Sequence, residues 1–250
     1  MDTLAKLEQF YYEAKGNKWF RYFAIFNRIA LAAGFIISGL VKIMGERFAS
    51  GLSVNHPMGH YLEALFQTGY YYPFIGIIQV TVAVLLLIPR TTTLGAIIYF
   101  PIILNICILA YAVRFEGTRI TTLMLLANIF LLCWDYERLK YILPSKHSTA
   151  DIYTTKKKTF SNKFPFVFFL GVFATVVSVI LINQFLYEIR PGNSLIECRN
   201  GCLDSKYPNA CEEFCDCIHK QGKPLDKCLE EYKQAKEREK NHSLSTTADK

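Results

Sequence analysis

Five long apolar runs, residues 22–44, 72–89, 92–113, 120–134 and 164–187, restrict what this chain can fold into more than any other feature. A helix needs about 20 mostly apolar residues to cross the hydrocarbon core of a bilayer. Backbone groups in lipid have to be satisfied within the segment, so the runs read as helices and not as strands. Tyr70, Tyr71 and Tyr72 open the second run, and Trp134 and Tyr136 close the fourth, where an interfacial aromatic belt belongs. Pro73 falls in a first turn, where its missing N–H costs little. Pro89 ends the second run and the third follows at once, which predicts an antiparallel hairpin. A soluble globular domain and a disordered chain are both excluded by this pattern.

The ends of the chain differ from its middle. In residues 1–21, Asp2, Glu8 and Glu13 interrupt any signal-peptide core. Leu4, Leu7, Phe10, Tyr11 and Ala14 follow a helical period, which predicts an amphipathic helix on the membrane surface. Residues 188–250 are polar and hold six of the eight cysteines, Cys198, Cys202, Cys211, Cys215, Cys217 and Cys228. So small a polar segment cannot build a sufficient core, and clustered cysteines in even number read as a disulfide framework. That framework needs an oxidising compartment, and the cysteine spacing leaves the pairing open.

Charge gives the orientation. With the N-terminus cytoplasmic, the inner segments hold twelve basic residues: Lys6, Lys15, Lys18, Arg21, Arg90, Arg138, Lys140, Lys146, Lys156, Lys157, Lys158 and Lys163. The outer loops hold four: Lys42, Arg47, Arg114 and Arg119. The positive-inside rule favours this arrangement, and an odd number of crossings then places the cysteines outside. Redox and charge arguments agree. The expected organisation is an interfacial helix (1–21), a four-helix membrane domain (22–140), a basic cytoplasmic linker (141–163), a fifth transmembrane helix (164–187) and a helical extracytoplasmic tail (188–250). The fold class is all-α integral membrane, in a bacterial inner membrane. The Lys156–Lys158 run reads as a topological anchor on anionic lipid and not as a nucleic-acid patch.

Polar residues inside the apolar runs are the candidate site. Arg28 lies about two turns inside the first run, where a charge needs a partner or must snorkel. Ala30, Gly34 and Ser38 form a small-residue seam for close packing. Depth along the helices brings Tyr99 and Asn128 near Arg28, with Gln79 and Asn105 deeper. These five are expected to form a polar core, either bonding helix to helix or lining an apolar ligand pocket. His56, His60 and Glu63 carry metal-ligand chemistry, but Pro57 and Gly59 argue against a regular helix, so the expectation is a loop over the bundle mouth and no metal site. Neither Cys-x-x-Cys, a haem-attachment motif, a phosphate-cradling glycine loop nor a nucleophile elbow is present.

Residues 20–143 resemble the DoxX family of small four-helix membrane proteins. The resemblance rests on Arg28 followed by Gly34, Ser38-Gly39 and Lys42, on the 76–89 run ending Leu-Leu-Leu-Ile-Pro-Arg, and on Thr93-Leu-Gly95. It implies a compact bundle associated with membrane redox systems, some of them quinone-linked, with Arg28, Ser38 and Lys42 as the matched polar positions. Many relatives carry an acidic residue in the second helix where this chain has Gln79. Three functions follow as expectations. The first is an accessory of a membrane redox or envelope-maintenance system that binds a quinone-like ligand. The second is a structural membrane subunit whose tail docks an extracytoplasmic protein partner. The third is a thiol–disulfide oxidoreductase coupled to quinone.

Overall fold

The computed structural model describes residues 11–139 and 161–248, with side chains through Asn241. Leu4, Leu7, Phe10 and the Lys156–Lys158 run therefore lie outside the described residues, as does most of the expected linker. Among the described residues every regular element is helical, and the one β-bridge joins Asn17 to Ser161.

Residues 11–15 are helical and break at Gly16, and the Asn17 carboxamide caps the next helix by accepting from the Trp19 N–H (2.9 Å). That helix, α1 (Lys18–Ile43), is followed by α2 (Pro57–Phe66), α3 (Tyr71–Leu87), α4 (Thr92–Ala112), α5 (Thr118–Trp134) and the single turn α6 (Tyr136–Leu139). Then come α7 (Phe166–Phe185), α8 (Leu195–Asn200), α9 (Pro208–His219) and α10 (Leu225–Ala248). Helices α1, α4 and α7 are each long and apolar enough to cross a membrane, with 26, 21 and 20 residues. Helices α2 and α3 reach spanning length only together and meet at 101°, and α5 is a shorter apolar helix.

Four helices close into a ring in which α1 packs on α3, α3 on α4, α4 on α5, and α5 on α1. The expected hairpin is α3–α4. Beyond Pro89, the Thr91 hydroxyl donates to the Leu85 carbonyl (2.9 Å) and the Thr92 hydroxyl to the Ile88 carbonyl (3.0 Å). The first of these satisfies the Leu85 carbonyl, which Pro89 leaves without its N–H partner, and the Ile88 carbonyl also accepts from the Thr91 N–H (3.1 Å). A Cβ on Gly95 would stand 2.8 Å from the Leu86 nitrogen, so only glycine permits this approach.

The closest helix contact is not the expected seam. Ala30 faces outward, and the backbones meet at Gly39 and Gly76, where a Cβ on either would lie 2.7 or 2.6 Å from the other's carbonyl oxygen. Small residues are what allow such contact between apolar helices. Helix α7 lies outside the ring against α5, and its start is tied to the start of α1. Asn17 Nδ2 donates to the Lys163 carbonyl (2.8 Å), and Phe20 packs on Phe168 at 4.4 Å between centroids. Helices α1, α4 and α7 thus run in one direction, and residues after α7 emerge at the end opposite residue 17.

There α8, α9 and α10 form a cap. Bridges Cys198–Cys215 and Cys202–Cys211 are nested between α8 with its following turn and α9, and Cys217–Cys228 joins α9 to α10. All six sulfurs belong to buried residues around Phe214, Ile218 and Tyr232. The neighbours Cys215 and Cys217 each bridge elsewhere and not to one another.

Candidate functional site

The in-span polar residues separate into clusters at different heights. At the end where α1 begins, Asp135 is buried just beyond α5. Its carboxylate receives Lys15 (3.6 Å), Arg28 (3.8 Å) and the Thr93 hydroxyl (3.1 Å). Lys15 also lies over the Trp134 ring at 4.4 Å, and the Tyr11 hydroxyl donates to the Trp134 carbonyl (2.9 Å). Arg28 therefore finds its charge partner at the helix end and not beside Tyr99 or Asn128. Burial of a carboxylate is sustained by paired cations and a hydroxyl donor.

One level further in, Asn128 is fully buried and donates to the Ala96 carbonyl across α4 and α5 (3.2 Å). Tyr99 is fully buried and stacked on Phe35 of α1 at 3.8 Å. The Tyr99 hydroxyl and the Asn128 Oδ1 have no hydrogen-bond partner. Near the cap end, Lys42 donates to the Ser38 carbonyl and hydroxyl (both 2.9 Å), and the Ser38 hydroxyl donates to Gln79 Oε1 (3.0 Å). The Lys42 ammonium also sits over the Phe48 ring at 4.4 Å, and among the described residues no carboxylate pairs with it. So Ser38, Lys42 and Gln79 come together, as do Asn128 and Ala96.

Asn105 departs from expectation. It is exposed on the outer face of α4, away from the bundle core. Depth along a helix fixes height but not direction: Asn105 follows Tyr99 by six residues, about 240° around the axis. The two cannot both face the bundle centre.

From Pro57 through Glu63 the segment is helical, contrary to the expected loop. Pro57 starts α2 and His56 is its N-cap, with Nδ1 accepting from the Met58 N–H (3.0 Å). Proline is well suited to a first helical position. His56 is buried, His60 exposed, and Glu63 pairs with Arg47 (3.1 Å), so these three do not converge.

The cap is fastened to this mouth. Asn55 Nδ2 donates to the His219 carbonyl (2.7 Å), Arg114 Nη1 to the Ile189 carbonyl (3.0 Å), and the Tyr187 hydroxyl to the Tyr111 carbonyl (2.8 Å). His56 and His219 lie 6.2 Å apart between ring centroids, and burial, reinforced by His219, pushes the His56 imidazole down to about 4. A cleft of ≈ 530 Å³ opens between Tyr111–Arg114, Tyr187 and the start of α10 at Leu225, Asp226 and Leu229. This cleft is lined at the cap junction and by none of Arg28, Gln79 and Tyr99. Sequence reasoning missed Asp135 as a partner. The available signal was a lone carboxylate at the level where Arg28 needs one.

Outside the chain, the uncharacterized protein YwoB of Bacillus subtilis strain 168 is 34% identical over an alignment of 117 residues that covers 44% of this chain and 75% of YwoB. No family model and no solved structure matches.

Proposed function

This chain belongs to the family that includes YwoB, and from that premise we propose that it is a membrane accessory protein whose disulfide-stapled cap docks a protein partner on the extracytoplasmic side. In this reading five helices cross a bacterial inner membrane: α1, α3 with α2 as its bent outer continuation, α4, α5 and α7. The N-terminus is cytoplasmic. The distribution of basic residues supports that direction, as do a cap and a residue 17 at opposite ends of the bundle. The DoxX-like reading belongs to the proposal, with Gly39 and Lys42 of its motif at the α1–α3 contact.

The carrying observation is that all six tail cysteines are spent on buried bridges, within a cap bonded to the bundle mouth. A rigid, preorganised surface costs little ordering entropy when it binds. Ile196 and Leu203 stand 73% and 79% exposed on α8 and the turn after it. Seven residues apart, they offer an apolar anchor point for a partner. A specific observation favours the oxidoreductase as a second reading: Cys202 Sγ lies 3.7 Å from Cys215 Sγ, a sulfur of the other nested bridge.

Thiol trapping in intact cells separates the two. Docking predicts that the six cysteines resist an impermeant maleimide until denaturation with reductant, and that photo-crosslinkers at Ile196 or Leu203 capture one discrete protein. If a small dithiol rapidly opened the Cys198–Cys215 or Cys202–Cys211 bridge in the native protein, read as maleimide capture of the freed thiols and as re-formation of the bridge once the dithiol is oxidised, with no crosslink from the cap, thiol exchange would replace docking.

A further inference from the structure

Amides inside the apolar helices are partnered with one exception among the described residues. Asn27 donates to the Phe23 carbonyl, Asn128 to that of Ala96, and Asn183 to that of Val179 and to the Tyr111 hydroxyl. Gln79 accepts from Ser38, and Gln184 accepts from Arg119. Among the described residues the Asn105 side chain has no hydrogen-bond partner, and it faces outward, about 20 Å along α4 from Thr92 and two turns before its end. One turn earlier on that face is Pro101 inside the helix. Proline has no N–H, so the Ile97 carbonyl loses its ordinary i+4 donor. Ile97, Pro101, Asn105, Ile108 and Ala112 fall within about 80° of one another around α4. The opposite face, carrying Tyr99, Ile103, Cys107 and Ala110, is the one buried in the bundle. Lipid chains offer an amide no donor or acceptor.

We propose that two copies of this chain associate side by side through this face of α4, with the Asn105 carboxamides hydrogen-bonded to one another. The inference rests on the reading of α4 as a membrane span. Complementarity selects the occupant. A carboxamide carries both N–H donors and a carbonyl acceptor, so it matches a second carboxamide. Copies inserted in the same direction and related by a twofold axis along the membrane normal bring Asn105 to the same depth in each. A different protein would need its own polar group at that depth.

The full chain, labelled with donor or acceptor dyes at its N-terminus, is reconstituted into phosphatidylethanolamine–phosphatidylglycerol vesicles and diluted with lipid while energy transfer is followed. Alkaline carbonate extraction is run on the same vesicles. The expected result is retention in the membrane, transfer saturating at a two-copy complex, and an Asn105→Leu variant needing about ten-fold more protein per lipid to associate. Asn105→Gln keeps the amide and restores association. Intact cap disulfides in each variant confirm that it has folded. A chain retained by the membrane but monomeric, or Asn105→Leu associating like the wild type, overturns the dimer and leaves the membrane reading standing. Association seen in cells but absent for the purified chain assigns the face to another protein. Release by carbonate overturns both.

Discussion

The bundle and the cap solve the same problem with opposite means. The bundle contains two cysteines among the described residues, Cys107 and Cys133, both unbridged, and it relies on apolar packing, a glycine–glycine approach and a few buried polar contacts. The cap has a small core of Phe214, Ile218, Tyr232 and Ala235, closed by three disulfides. In the proposed membrane topology a bilayer already supplies a phase that long apolar helices cannot leave, so packing has only to choose their arrangement. A small polar unit outside it has no such help, and covalent closure limits its unfolded state instead.

This contrast can be broken from either side. Removing Cys198–Cys215 with paired serines should have the largest effect, about 2–5 kcal/mol on the cap. Limited proteolysis would show α8–α10 cut while α1–α5 remain protected; concerted loss of both regions would show that they are one unit. Gly39→Leu should strike the bundle alone, because its side chain would have to displace the Gly76 backbone. A cost of about 1–3 kcal/mol is expected, read as a lower melting temperature in detergent with all three disulfides still formed. The smallest effect lies at the junction. His56 titrates near 4 when folded, below its free value of 6.5, so the folded state binds fewer protons between those limits. Its contribution is complete above pH 6.5 and is lost as the pH falls toward 4. Hydrogen exchange around Asn55 and His219 should accelerate over that window, and His56→Asn, which keeps a capping oxygen but does not titrate, should flatten the response.

The helices were legible because length and apolarity are properties of composition, which the chain displays openly. Burial of Asn128 and Gln79 followed from their setting in apolar runs. Direction around a helix was less legible. Height along α4 groups Asn105 with the buried polar residues, and the angle around the axis puts it outside. Of the expected seam, Ala30 turns outward, while Gly34 meets Met124 of α5 and Ser38 meets Gln79 of α3; the closest backbone approach falls instead at Gly39 and Gly76, because the partner helix chooses which small residues it meets. His56 and His60 have helical spacing, but a residue acting as N-cap turns its side chain back to the backbone and leaves the helix face. The disulfide pairing was illegible, since six cysteines allow fifteen pairings. The nested arrangement arises because each Cys-x-x-x-Cys pair lines one side of a helical segment, and the two segments lie against each other.

The corner at Gly16 and Asn17 has a consequence for how the chain is made. Its hydrogen bonds run to Ser161 and Lys163, with 146 residues separating Asn17 from Lys163. During synthesis that corner waits until nearly two-thirds of the polypeptide has left the ribosome. The corner before α1 therefore gains its long-range bonds only when the segment leading into α7 arrives, and a product truncated before residue 161 would leave the Gly16 carbonyl and the Lys18 N–H without those partners.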